Sequence, residues 1–268
     1  MVTGPLTAYI GYSSVVHFSE EAKFSKTTMK KAIIASILIA GAFETFMMYA
    51  ITVGVPTSGL SALAGTYAPA LVVTAKFAGV GFALFVLIIA LLGQITSPLT
   101  FGNAAERILY SLSRDNILPK SLSKIHPKYG SPSSASVIVL IFALIATLLM
   151  QFPLVLYYGI LTGFFYAVVI WATILTVTNL IYHIAANQSL DILMHRFKEL
   201  NILKHIVWPT TGSIFIIIIF YYTFLGIAFP FVLTVPIVVI WFFIGLGISY
   251  WKRKVPLAES DIGEGPAT

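Results

Sequence analysis

Six apolar stretches, each near the length of a bilayer crossing, constrain this 268-residue chain more than any other feature. A helix needs about 20 consecutive apolar residues to cross the ~30 Å hydrocarbon core of a membrane. Residues 32–53, 77–101, 134–152, 154–183, 207–229 and 231–251 meet or approach that length. Hydrocarbon offers no partner to an open backbone N–H or C=O, so stretches of this kind must be helical, and the expected fold is an all-α polytopic membrane protein. Composition agrees. Apolar residues make up 58% of the chain and charged residues 10%, against about 45–50% and about 25% in soluble domains. So little charge cannot cover a water-soluble surface, which excludes a cytoplasmic enzyme or a nucleic-acid-binding module. The chain has no cysteine, which excludes disulfides, thiolate metal sites and cysteine nucleophiles together.

The loops supply an orientation. Fifteen of the 16 lysines and arginines fall in one set of alternate loops and in the tail at 252–268, and only Lys76 lies on the other side. Basic residues gather on the cytoplasmic face of membrane proteins. The expectation is therefore a multi-pass protein of the cell membrane with a cytoplasmic C-terminus. The 53–76 connection would face outward. Within it Leu60, Leu63, Ala64, Ala68, Leu71 and Val72 recur at helical spacing, which suggests a re-entrant or capping helix over 57–76. Residues 189–203 put Leu190, Leu193, Met194, Phe197 and Leu200 on one face, the pattern of an amphipathic helix lying on the inner leaflet. Residues 5–18 form a partial helix. Their apolar core of 13 residues reaches only about 20 Å, so the helix is expected to be interrupted or truncated.

Two stretches carry a family resemblance. One is Ile10-Gly11-Tyr12 followed by Glu20-Glu21-Ala22-Lys23 and Ala32-Ile33. The other runs from Asn103-Ala104 through Arg107, Tyr110, Arg114-Asp115, Leu118-Pro119, Leu122 and His126-Pro127-Lys128 to Pro132. Together they resemble the sixth-helix and eighth-helix signatures of the amino acid–polyamine–organocation permeases, and the later spans follow in the family's order. The pattern departs where Phe24-Ser25 and Met29 replace prolines and an asparagine, and where Ser13 replaces an acid found in many members. The resemblance implies the second inverted repeat of a five-plus-five helix transporter fold plus two peripheral helices, over residues 1–268. It further implies transport of amino acids by alternating access, either ion- or proton-coupled or by exchange. The partners would be the amino acid substrate, the lipid bilayer and the missing N-terminal five helices, with no nucleic acid, cofactor or metal and no enzymatic step. A non-transporting membrane subunit or a truncated permease fragment is the alternative.

The resemblance also marks residues. Thr7, Tyr9, Ile10, Gly11, Ser13 and Ser14 would line the substrate, with backbone carbonyls meeting its ammonium group where the helix unwinds. The bland alternative is that Gly4, Pro5 and Gly11 only begin a helix. Phe101 and Tyr166 match positions that occlude substrate, although an aromatic in so apolar a chain is commonly packing. Ser97 and Thr100, in a polar stripe with Gln94, match cation-binding positions in sodium-coupled relatives; the alternative is a bond to each residue's own i−4 carbonyl. Glu44 is the one charged residue deep in a span. Its burial in ionised form costs on the order of 3 kcal/mol, so it is either a proton-coupling group or a protonated structural hydrogen bonder. Thr7–Ser14 holds no charged residue, and a cationic substrate side chain buried there would lack a counter-charge. An uncharged substrate side chain is expected.

Overall fold

The computed structural model describes residues 10–11, 26–59, 61, 63 and 65–252. The expected substrate residues Thr7, Tyr9, Ser13 and Ser14 lie outside them, as does the tail beyond Lys252. Among the described residues there is no strand, and six helices are long and apolar enough to cross a membrane. They are α1 (Lys26–Val53), α2 (Pro69–Arg114), α3 (Ser133–Tyr158), α4 (Ile160–Arg196), α5 (Trp208–Phe224, which reaches crossing length together with the helical turn Ile202–Val207 before it) and α6 (Thr234–Lys252). The protein is a polytopic membrane protein.

The helices end where backbone conformation requires, which is not always where composition suggests. Between the third and fourth spans the break was expected at Pro153. Instead α3 runs through Pro153 to Tyr158, and the chain turns at Gly159 with φ 80° and ψ 169°. Proline removes one donor from a helix, whereas a φ of that sign is cheap only for glycine and ends the helix outright. The separate surface helix expected over 189–203 is also corrected. Helix α4 continues without interruption to Arg196, and only then does the chain break, with Lys198 at φ 57°. On the expected outer side, 57–59 form a 3-10 turn, and α2 already begins at Pro69. Gly79 (φ 83°, ψ 163°) then divides the helical turns of 69–78 from the span proper. Helix α5 stops at Phe224, five residues short of expectation, after a π-helical turn at Ile202–Val207.

The chain forms two compact units. The unit built on residues 11–147 holds α1, α2 and the start of α3. Here the end of α1 approaches α2 at Gly54: a Cβ there would stand 3.0 Å from Val73 Cγ1 and 3.1 Å from Phe77 Cε2. The absent side chain is what allows this approach.

The unit built on residues 148–250 holds the end of α3 with α4, α5 and α6. Its core is Leu154, Ala167 and Ile170, flanked by Met150, Tyr158, Tyr166, Ile174 and Phe231. Helix α4 buries a stripe at helical spacing, Gly163, Ala167, Ile170, Thr173, Thr176, Val177 and Leu180. The buried threonines satisfy their hydroxyls locally, Thr173 on the Val169 carbonyl at 2.7 Å and Thr176 on that of Ala172 at 2.8 Å. That arrangement lets a polar side chain sit on an apolar face without an unpaired group. At Gly163 a Cβ would meet the Val155 backbone at 2.5 Å, so α4 folds back onto α3 with no space for a side chain. Further along, Asn187 Nδ2 and Gln188 Nε2 both donate to the buried Ser213 Oγ, at 3.2 and 3.3 Å, tying α4 to α5.

Candidate functional site

Ile10 and Gly11 form a turn, and Gly11 has φ +117°. An L side chain rarely adopts that conformation, so glycine is strongly favoured here. The Gly11 backbone rests against Phe101, with the Cζ of the ring 3.4 Å from where a Cβ of residue 11 would stand. Two residues singled out for separate roles, substrate lining and gating, are therefore neighbours. Phe101 is half-buried on α2.

The polar stripe lies on the same helix within the two turns before Phe101. Gln94, Ser97 and Thr100 are exposed, and the Thr100 hydroxyl donates to the Thr96 carbonyl at 3.1 Å. Thr96 in turn donates to the Leu92 carbonyl at 3.1 Å. For Thr100 this is the local bond offered as the alternative to cation binding. Pro98 sits inside this turn of α2 and has no N–H to give to the Gln94 carbonyl. A backbone acceptor is thus released next to the stripe, and the proline within the apolar run was the signal for it. Glu44 is half-buried on α1, and among the described residues no hydrogen bond or ion pair engages it.

The far end of α2 carries contacts that residue spacing did not reveal. Ser136 Oγ, at the start of α3, donates to Glu106 Oε2 and lies 3.0 Å from the Pro132 carbonyl. Ser113 is buried and donates to the Pro119 carbonyl at 2.6 Å. Arg114 Nε is 3.9 Å from Asp115 Oδ1. Residues 115–132, the last part of the family-like sequence, thus form a cap between α2 and α3 held by the hydrogen bonds of Ser113 and Ser136.

In the unit of α3 to α6, Tyr166 stands in an aromatic group. Its ring meets Tyr158 at 4.8 Å between centroids and Phe231 at 5.2 Å, both edge to face. Such contacts hold a ring orientation firmly. The same unit contains a cavity of about 610 Å³ lined by Val177, Ile181, Phe220, Phe224, Val238 and Phe242 among others. No charged side chain lines it. An amino acid carries an ammonium and a carboxylate, and burying them unpartnered in such a place would cost several kcal/mol. The cavity is therefore not where an amino acid would bind, and among the described residues none of the expected substrate, gate or coupling residues lines it.

Comparison with known proteins bears on the chain as a whole. A family model described as "Amino acid permease" matches residues 1–251. The branched-chain amino acid permease BcaP of Bacillus subtilis is 30% identical over 129 residues, covering 48% of this chain and 27% of that protein. The protein of the same name from Lactococcus lactis subsp. cremoris is 36% identical over 132 residues, 45% of this chain and 25% of that protein. The low-affinity putrescine importer PlaP of Escherichia coli K12 is 26% identical over 150 residues, 54% of this chain and 33% of that protein. The similarity thus spans a quarter to a third of these relatives' own length. No solved structure matches the chain.

Proposed function

Because this chain belongs to the amino acid permease family, we propose that it supplies half of an alternating-access carrier for amino acids with uncharged side chains. In this reading it is the second inverted repeat with two peripheral helices, it lies in the cell membrane with its C-terminus in the cytoplasm, and five further N-terminal helices complete the substrate site. The observation that carries the reading is the positive-φ turn at Gly11 seated on Phe101. By the resemblance this turn falls where the helix expected over residues 5–18 is interrupted, and non-helical backbone at membrane depth is tolerated only beside a cavity or within protein. The groups it exposes are those that hold the charged ends of a substrate in carriers with discontinuous helices. Carbonyls near Ile10 and Gly11 receive the ammonium group, Thr7, Tyr9, Ser13 and Ser14 line the rest, and Phe101 and Tyr166 are the gate candidates. Glu44, Ser97 and Thr100 are the coupling candidates. Thr100 requires its hydroxyl to leave the Thr96 carbonyl before it can ligate a cation.

The side-chain preference rests on Thr7–Ser14, which has no counter-charge for a cation. The relatives named as branched-chain amino acid permeases support it. The relative named as a putrescine importer supports a second reading, an organic cation whose counter-charge comes from the companion helices. Competition separates them. The chain is co-produced with the five N-terminal helices of a permease of this family, reconstituted in liposomes and supplied with labelled leucine. Unlabelled leucine and valine should displace the label, while a tenfold excess of arginine or putrescine leaves it. If arginine or putrescine displaces the label better than every neutral amino acid tried, the uncharged-substrate reading is wrong.

A further inference from the structure

The segment between α2 and α3, residues 115–132, joins two membrane-spanning helices and therefore lies at a membrane surface whichever way the protein is oriented. Three lysines stand in it, Lys120, Lys124 and Lys128, with a single acid, Asp115. That acid is partly buried beside Arg114 and offers the lysines no counter-charge at the surface. All three lysines are exposed. Next to Lys124 and Lys128 two large apolar side chains are also turned outward, Ile125 at 52% and Tyr129 at 70% exposure. An exposed apolar pair flanked by cations is unfavourable in water and favourable at the boundary between headgroups and acyl chains.

The segment is also held in shape. A 3-10 turn at Lys120–Ser123 buries Leu122, and Ser113 anchors the entry through the Pro119 carbonyl. At the tip, His126 N–H donates to the Ser131 carbonyl at 2.8 Å and Gly130 N–H to the His126 carbonyl at 2.9 Å. His126 Nδ1 accepts the backbone N–H groups of Lys128 at 3.2 Å and Tyr129 at 3.3 Å. The rings of His126 and Tyr129 stack at 4.7 Å, and Lys128 Nζ lies 5.2 Å from the Tyr129 centroid. Little backbone entropy then remains to be lost when the segment meets a partner.

We propose that this segment is a docking site for anionic phospholipid, in which Lys120, Lys124 and Lys128 engage headgroup phosphates while Ile125 and Tyr129 enter the acyl boundary. The inference does not depend on the substrate reading above, because it uses no residue of the expected transport site.

The chain contains no cysteine, so Ser121→Cys gives a single position for a spin label beside Lys120. The full chain is placed in vesicles of phosphatidylcholine alone or with phosphatidylglycerol, and label immersion and phosphatidylglycerol affinity are measured. The native chain should prefer phosphatidylglycerol. Each Lys→Gln change should weaken that preference about fivefold, and the triple change about a hundredfold, while the triple Lys→Arg variant keeps it. Ile125→Ser with Tyr129→Ser should lift the label out of both kinds of vesicle. Equal affinity of the native chain for the two lipids, or a triple Lys→Gln variant indistinguishable from it, overturns the proposal. So does displacement by soluble glycerophosphate at the same concentration as lipid, which would mark a free-anion site instead.

Discussion

Helices α2 and α4 are both long and apolar, yet they are packed very differently. In α4 a third of the most apolar window is buried, against 6% in α2. The difference lies in the size and placement of side chains. Helix α4 presents Gly163, Ala167, Ile170, Thr173, Thr176 and Val177 along one face, small or β-branched residues that let neighbouring helices approach. Helix α2 carries Phe82, Phe85, Leu91, Leu92, Ile95 and Leu99, all more than half exposed. Bulk on every side of a helix suits lipid or further helices, and it does not select one packing face. The lesson is that hydropathy places a segment in the membrane, while small residues at helical spacing decide what it packs against.

Glycine replacement should break this contrast most visibly. Gly163→Ala drives a methyl into the Val155 backbone at 2.5 Å, and we expect a loss of about 3 kcal/mol in unfolding measured in detergent micelles. Gly93→Ala in α2 meets nothing within 4 Å and should be neutral or stabilising by up to about 1 kcal/mol, the ordinary gain in helix propensity. Equal effects at the two sites would mean that α4 is not the packed helix.

Core truncation gives the next effect. Ile170→Ala, at a position with 0% exposure, should cost about 2 kcal/mol through the cavity it leaves. Leu91→Ala, at 54% exposure, should change stability by less than about 0.5 kcal/mol. The smallest effect belongs to the bond between α4 and α5. Ser213→Ala removes the shared acceptor of Asn187 and Gln188, and interhelical hydrogen bonds in membranes average about 0.6 kcal/mol. A double substitution Asn187→Ala with Ser213→Ala that costs no more than Ser213→Ala alone would assign that loss to this bond.

The apolar runs were legible as helices because a membrane leaves backbone no other spanning form. Helix ends were not legible, because they depend on backbone torsions rather than polarity. Pro153 looked like a boundary and lies inside α3, whereas Gly159 ends it. Residues 189–196 looked amphipathic enough to leave the span and stay in α4. At the site, Gly11 was singled out as a residue that permits a break, but its contact with Phe101 joins residues 90 positions apart and leaves no trace in spacing. The Glu106–Ser136 hydrogen bond was missed for the same reason. Ser136 reads in the sequence as an ordinary polar residue at a helix start, and only the cap formed by 115–132 brings it to Glu106.

Substitution at Gly11 tests most directly whether this turn belongs to a transport site. With the chain paired to its five-helix companion in liposomes, Gly11→Ala should reduce saturable leucine uptake at least tenfold. At φ +117° a side chain is strained even though Phe101 leaves a methyl ordinary contact distance. The protein should still fold in detergent micelles, with a stability loss of no more than about 1–3 kcal/mol from that strain, because the packed core of α4 is untouched. Gly93→Ala should transport normally. Full leucine uptake by Gly11→Ala, with an unchanged dependence on leucine concentration, would contradict the placement of substrate at this turn.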